Sequence, residues 1–360
     1  MNAWRFDWVT TWSEVWAPDH LEQWRSAFDP GVAAARTPFQ HPAIVRAWVD
    51  AVGQERIRPF MMHARHPDGR RAFLPMVCEA HHARLLRPAG GTLFDYGAPV
   101  VLPSDGPARL DTAFWAGLEA ELMSRAGDRF DAVFLGNLRL TGADAPAGAG
   151  WEQTDVAPFL QLDRHYDFEA WQATRGKRFR RSVRRSLRMA EQAGPLVFTA
   201  RSPTDQAGAL ADVPRLMVLL RARHGDAFSD EPLQTFLKNL TGEPLAEGVV
   251  LWSHLSIGDR PACYEIGFRL DGVLYAYQGA FEPELSELSP GSLMHWRCIE
   301  WAFAEGITRY DLLRGDEAYK ARWTDGEVAR LVGRRLSRHR AAGPLRRALR
   351  GIRRRLRRIW

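Results

Sequence analysis

Three runs of alternating hydrophobic and polar positions, Val249–Ile257, Ala262–Leu270 and Val273–Ala280, follow one another almost without a gap. Gly258-Asp259-Arg260 and Asp271-Gly272 separate them, and Asp-Gly between alternating runs signals a tight hairpin. The pattern predicts a three-stranded antiparallel meander. Met294, Cys298 and Trp301 then recur at i, i+4 and i+7, which predicts the buried face of a helix over 290–305, followed by a strand at Thr308–Leu313. Upstream, the spacing predicts a long helix over 166–192, a strand at Leu196–Ala200, and helices near 206–223 and 230–240.

The first part of the chain reads in a similar order. A strand near 4–9 precedes helices near 19–28 and 40–51, strands near 56–63 and 71–78, irregular strands to about 101, a helix near 107–126 and a strand at Asp131–Leu135. The small-residue run Thr141–Gly150 divides the two parts as a linker. The expected architecture is α/β, with α+β mixed sheets, in two tandem domains of similar element order over 1–150 and 151–330, plus a tail over 333–360. No residue-level repeat accompanies that order.

A length of 360 residues suits two cores, and 46% hydrophobic with 26% charged residues is a globular composition. Charge is unevenly placed. The net +6 includes twelve arginines and no acid in 333–360, so residues 1–332 carry −6. Only three lysines occur, Lys177, Lys238 and Lys320, against a background of arginine. Cys78, Cys263 and Cys298 are odd in number and far apart, which predicts buried thiols and neither a disulfide framework nor a zinc site. His81-His82 is a lone pair, so no metal site is expected. No basic-then-apolar leader and no run of ~18 apolar residues is visible, and cytoplasmic residence is expected. Walker, dinucleotide, metalloprotease and nucleophile-elbow motifs are absent.

Two stretches carry candidate chemistry. Ser289-Pro290-Gly291-Ser292 opens the 290–305 helix, and a helix N-terminus with a glycine suits a phosphate. An ordinary capped helix is the simpler alternative. The stretch Tyr310–Trp323 packs Asp311, Arg314, Asp316, Glu317, Tyr319, Lys320 and Trp323 beyond a strand end. Such acids can accept a proton from an amine, and a lysine can hold an anion or a developing oxyanion. A solvated polar loop anchored by Trp323 is the alternative.

Leu288-Ser289-Pro290-Gly291 before a helix, Tyr310-Asp311-Leu312-Leu313-Arg314-Gly315-Asp316-Glu317, and Tyr319-Lys320-x-x-Trp323 together resemble the C-terminal signature of FemAB-like and CelD-like acyltransferases of the GNAT superfamily. The basic stretch Gly176–Arg185 and Phe94-Asp95-Tyr96 after Gly90-Gly91 extend the resemblance over about 40–325. It implies two GNAT-like domains, the first a degenerate, acceptor-side one. It also implies transfer of an acyl or aminoacyl group to an amine or hydroxyl of a cell-envelope or exopolysaccharide precursor. No permanent cofactor is implied; acyl-CoA, acyl carrier protein or aminoacyl-tRNA is the donor. On this reading Lys320, Glu317 and Asp311 are catalytic. Gln278, Ser289, Gly291, Ser292 and Arg314 bind the donor, and Asp95, Tyr96, Tyr319 and Trp323 the acceptor. The phosphate loop is poorer in Gly and Arg than that of acetyl-CoA enzymes.

Arg181, Arg184, Arg185 and Arg188 share one helical face and Phe179, Val183 and Leu187 mark another; a solvated face is the simpler alternative, but the uncompensated charge points to a polyanion: a lipid diphosphate sugar, carrier protein or tRNA. In 344–360, Leu345, Leu349, Ile352, Leu356 and Ile359 form an apolar stripe in an arginine surround, which suits an anionic membrane surface and peripheral attachment at the inner face of the membrane; a helix docked on the acidic body of residues 1–332 is the competing reading. These two clusters also support a rival reading, a non-catalytic nucleic-acid or membrane-surface binding protein on the same fold.

Overall fold

The computed structural model describes residues 4–32, 36–80, 84–102, 110–139, 150–225 and 231–337. Linker residues 141–149, His81-His82 and the tail from 338 lie outside the described residues. In chain order the elements are β1 (Arg5–Val9), α1 (Trp12–Val15), α2 (Pro18–Ser26), α3 (Pro42–Val52), β2 (Ile57–Pro59), β3 (Met61–Arg65), β4 (Arg71–Leu74), β5 (Met76–Ala80), β6 (Arg84–Pro88), β7 (Val100–Leu102), α4 (Thr112–Arg125) and β8 (Ala132–Arg139). Then come β9 (Trp151–Gln161), α5 (Phe168–Thr174), α6 (Lys177–Ala193), β10 (Leu196–Ala200), α7 (Gln206–His224), α8 (Glu231–Asn239), α9 (Glu243–Ala246), β11 (Val250–Ile257), β12 (Arg260–Leu270), β13 (Val273–Phe281), α10 (Pro290–Ala304), β14 (Arg309–Asp311) and β15 (Val328–Ser337).

The chain forms two compact units. One runs up to Val156 and includes the segment from Ala329; the other is Ala157–Val328. In the first unit, β1-β3-β4-β7 form one sheet and β15-β8-β6-β5-β2 run side by side in another. The strands expected over 56–63 and 71–78 are each two strands, broken at Phe60 and at Pro75. Those breaks let β3 and β4 join β1 while β2 and β5 join β6. The Phe60 amide donates to the Met76 carbonyl at 2.8 Å, tying the two corners together. Met62, Leu74, Phe114, Leu118, Leu122 and Leu135 pack the core beside α4.

In the second unit the order is β10-β11-β12-β13-β14-β9. The meander is antiparallel as expected, and β14 then joins β13 in parallel after the crossover through α10. α5, α6 and α10 cover one face, where Trp171, Val183, Leu251, Leu274, Ile299 and Tyr310 share a core. α7 packs on β13 and α8 packs on α7. The long helix expected over 166–192 breaks at Arg175-Gly176, where the Arg175 guanidinium binds Asp325 and the Thr324 carbonyl. β9 and β15 were not anticipated, because Glu152–Asp155 and the arginines of β15 hide their alternation. All three cysteines are free and buried. Among the described residues no helix is long and apolar enough to cross a membrane.

Candidate functional site

The second unit opens at β13. That strand pairs with β12 from Val273 to Phe281, but with β14 only at Val273, Leu274 and Tyr275. From Ala276 onward its other edge runs without a neighbouring strand among the described residues. The β12 register also skips Tyr277, since Ile266 faces Gln278 while Gly267 faces Ala276. This bulge at a strand that loses its partner re-aims the backbone where a ligand can reach it. It places Gly279 opposite Glu265, and it places Gln278 with Ile266 on the face away from Glu265. Arg223, exposed at the end of α7, donates to the Gly279 carbonyl at 2.9 Å.

α10 begins beside the end of this open edge. A Cβ at Gly291 would lie 3.5 Å from Phe281 Cδ1, an ordinary contact. Nothing in the chain itself requires glycine there. Ser289 adopts a left-handed φ of 56° and makes no side-chain cap; its carbonyl instead accepts from Ser292 and Leu293. Ser289, Gly291 and Ser292 are therefore brought together at the strand end.

Behind the open edge lies a polar chain in an apolar setting. Tyr310, fully buried on β14, has its hydroxyl 2.8 Å from His295 Nδ1 on α10 and 3.4 Å from Glu265 Oε1 on β12. The Cys298 thiol also approaches Glu265 Oε1, at 3.7 Å. Burial pushes the Glu265 carboxyl up to about 7, against the opposing effect of its bonds from Tyr310 and Cys298. Burial, with the nearby charges of Arg223 and Lys320, pushes His295 down to about 4. Burial and the Glu265 charge raise the Tyr310 phenol. Sequence reasoning missed Glu265 and His295 and quoted Tyr310 without giving it a role. The available signal was a lone acid in the otherwise apolar Cys263–Phe268 stretch and a lone histidine in an apolar helix.

In the loop after β14 the charged side chains bond to one another and to the backbone. Asp311 is fully buried; its Oδ1 accepts from the Leu313 amide at 2.9 Å and its Oδ2 pairs with Arg309 at 3.1 Å. Leu313 holds a left-handed φ of 59°, unusual for a residue with a γ-branched side chain. Lys320, 1% exposed, directs its ammonium at the Arg314 carbonyl at 2.6 Å, and at the Leu313 and Gly315 carbonyls at 3.4 and 3.5 Å. Glu317 Oε2 lies 2.8 Å from the same nitrogen. Asp311, Glu317 and Lys320 thus clamp a strained turn, as strained backbone near functional sites requires. Arg314 is buried within that turn.

Of the expected acceptor residues, Tyr319 is partly exposed and stacks on His295 with centroids 5.8 Å apart. Trp323 is buried against Phe179 and His295. Asp95 and Tyr96 lie in the first unit, both about 1% exposed; Tyr96 packs against Phe39, and its carbonyl accepts from Gln40. Their side chains are core groups.

α6 presents Lys177, Arg178, Arg180, Arg181, Arg184, Arg185 and Arg188, and none of them pairs with an acid among the described residues. Its first turn has no acid and its N-cap, Gly176, has no side chain. Cations at that end oppose the helix dipole, at a cost of about 0.3–1 kcal/mol each.

The acetyltransferase (GNAT) domain family matches residues 177–321, which contain β12, β13, α10 and β14. By sequence the chain matches no curated protein. Among solved structures it is similar to FemX, with a TM-score of 0.53 at 12% identity, over 84% of this chain and 96% of that one. The C-terminal domain of a protein described as a lysylphosphatidylglycerol synthetase from Agrobacterium fabrum gives a TM-score of 0.54 at 12% identity, covering 87% and 91%. L-PGS from Bacillus licheniformis gives 0.53 at 13%, covering 88% and 97%. The meander, the strand that parts from its neighbour and the helix that starts at the parting lie inside the segment that matches the acetyltransferase (GNAT) domain family, in a chain that shares its fold with FemX and with the lysylphosphatidylglycerol synthetase domain.

Proposed function

We propose that this chain transfers an acyl or aminoacyl group from a thioester or ester donor to an amine on a cell-envelope or exopolysaccharide precursor. The observation that carries this reading is the Glu265–Tyr310–His295 chain beside the open edge of β13. The acyl carbonyl lies along Ala276–Phe281, where edge amides polarise it. The donor phosphate lies at the start of α10, near Gly291.

The neutral amine attacks the carbonyl carbon, the C–S or C–O bond breaks, and the leaving thiolate or alkoxide takes a proton from water, which is made good when Glu265 returns the amine's proton to solvent. The proton lost by the amine goes to His295 Nε2. The Nδ1 proton passes to Tyr310 and the Tyr310 proton to Glu265, so the imidazole never holds two protons for long. A carboxylate near 7 is a suitable terminus, while a histidine near 4 would be a poor base alone. Lys320, Glu317 and Asp311 act by holding the turn after β14 and, through Tyr319 and Trp323, the face of His295.

The likeness to lysylphosphatidylglycerol synthetases, named for an aminoacylated lipid, supports an envelope acceptor. The test is thiol release from acyl-CoA and other acyl thioesters with amine acceptors, and mass spectrometry of the products. Amide formation by the wild type with at least about a tenfold loss in Glu265→Gln supports the reading. Hydrolysis without transfer to any acceptor opposes it.

A further inference from the structure

α6 carries a charge pattern that the acyl-transfer chemistry does not use. Its seven cations stand along one side of a helix with no acid paired to them among the described residues, and the first of them oppose the helix dipole. Between Lys177 and Arg188 they extend about 16 Å, three turns. A shallow groove of about 690 Å³ runs along this side, and Leu187 and Glu191 line it together with the cations. α6 also packs against the 283–288 turn and against α10.

Resting on the acyl-transfer reading, we propose that α6 is the landing surface for an acidic helix of a partner protein that delivers the acyl group as a thioester. Three features favour a protein over other polyanions. None of the exposed large apolar or aromatic side chains lies on α6, so it offers no platform for stacking nucleobases and no wedge for a bilayer. Glu191 at the far end of the groove repels phosphates but matches a cation on a folded partner. Leu187 gives the groove an apolar contact that a partner helix can cover. Acids spaced i, i+3, i+4 and i+7 on such a helix meet Arg181, Arg184, Arg185 and Arg188 in register.

The experiment uses full-length protein and the charge-reversal variant Arg181→Glu/Arg184→Glu/Arg188→Glu. The probes are a purified acyl carrier protein bearing an acyl thioester, the same acyl group on free pantetheine, single-stranded RNA, and vesicles of phosphatidylcholine and phosphatidylglycerol in equal parts. The expected result is salt-sensitive carrier binding that weakens at least about tenfold in the variant. The ratio of carrier-delivered to pantetheine-delivered transfer falls by a similar factor. An unchanged ratio and unchanged carrier affinity overturn the docking proposal while leaving transfer from pantetheine standing. Tighter binding of RNA or vesicles through the same arginines overturns it in favour of that polyanion. Arginine-dependent carrier binding with no transfer from either donor retains the docking surface and removes the acyl-transfer reading.

Discussion

The hydroxyl of Tyr310 lies 2.8 Å from Nδ1 of His295, joining the strand that parts from β13 to the helix that starts at the parting. Through Tyr310 the histidine reaches Glu265 on β12, so a half-buried ring and a buried carboxylate belong to one hydrogen-bonded chain. On the proposed mechanism this contact carries a proton away from the opening in the sheet. Removing the hydroxyl in Tyr310→Phe breaks the chain. Transfer should fall at least about tenfold, roughly 1.4 kcal/mol in barrier, with the fold intact by circular dichroism. Undiminished transfer in that variant assigns proton removal elsewhere.

Glu265 also ties stability to pH. Burial raises its carboxyl from 4.5 to about 7, so the folded chain keeps a proton that the unfolded chain releases. Its contribution is therefore full below the unfolded value and is lost as pH rises through about 7. Glu265→Gln should remove that loss. Between roughly pH 4.5 and 7.5 the variant gains on the wild type by at most about 3 kcal/mol, at ~1.4 kcal/mol per unit. Urea unfolding of both proteins across this range measures the difference.

Lys320→Ala should be costly to the fold. It strips the carbonyls of Leu313, Arg314 and Gly315 of a buried donor and leaves Glu317 without its partner. Chemical denaturation should show a loss of roughly 2–4 kcal/mol. A variant as stable as the wild type but inactive would instead place the ammonium on the substrate.

The meander and α10 were legible because Asp271-Gly272 and an i, i+4, i+7 stripe express backbone geometry directly in residue order. The density of charge in Tyr310–Trp323 coincides with the turn beyond β14. Its role was not legible, because a lysine that binds carbonyls and one that binds a ligand look alike in sequence. Glu265 and His295 were hidden for a related reason: their meaning comes from Tyr310, 45 and 15 residues away. β9 and β15 escaped because their exposed charged positions mask the two-residue period.

Gly291→Val tests the donor end. A Cβ there meets only Phe281, at ordinary distance, so the variant should fold. The branched side chain covers the start of α10, and the donor KM should rise at least about tenfold while the acceptor KM holds. Unchanged donor KM would move the phosphate away from this helix.

The arginine-rich tail is tested by co-sedimentation with anionic vesicles. Because β15 runs to Ser337, the truncated chain should end there. The full chain should bind phosphatidylglycerol vesicles, with each basic residue near the surface contributing about 1 kcal/mol, and the truncated chain should bind far less. Equal binding by both would remove the tail as an anchor.

Acyl transfer through the Glu265–Tyr310–His295 chain is tested most directly by the pH dependence of amide formation from an acyl thioester, in wild type and Glu265→Gln. In the wild type, kcat/KM should climb with pH and level off above about 7, as the buried carboxyl loses its proton. In Glu265→Gln the rate should be at least about tenfold lower and the rise near 7 should vanish. A variant that keeps both the wild-type rate and the rise near 7 would contradict the proposed proton path.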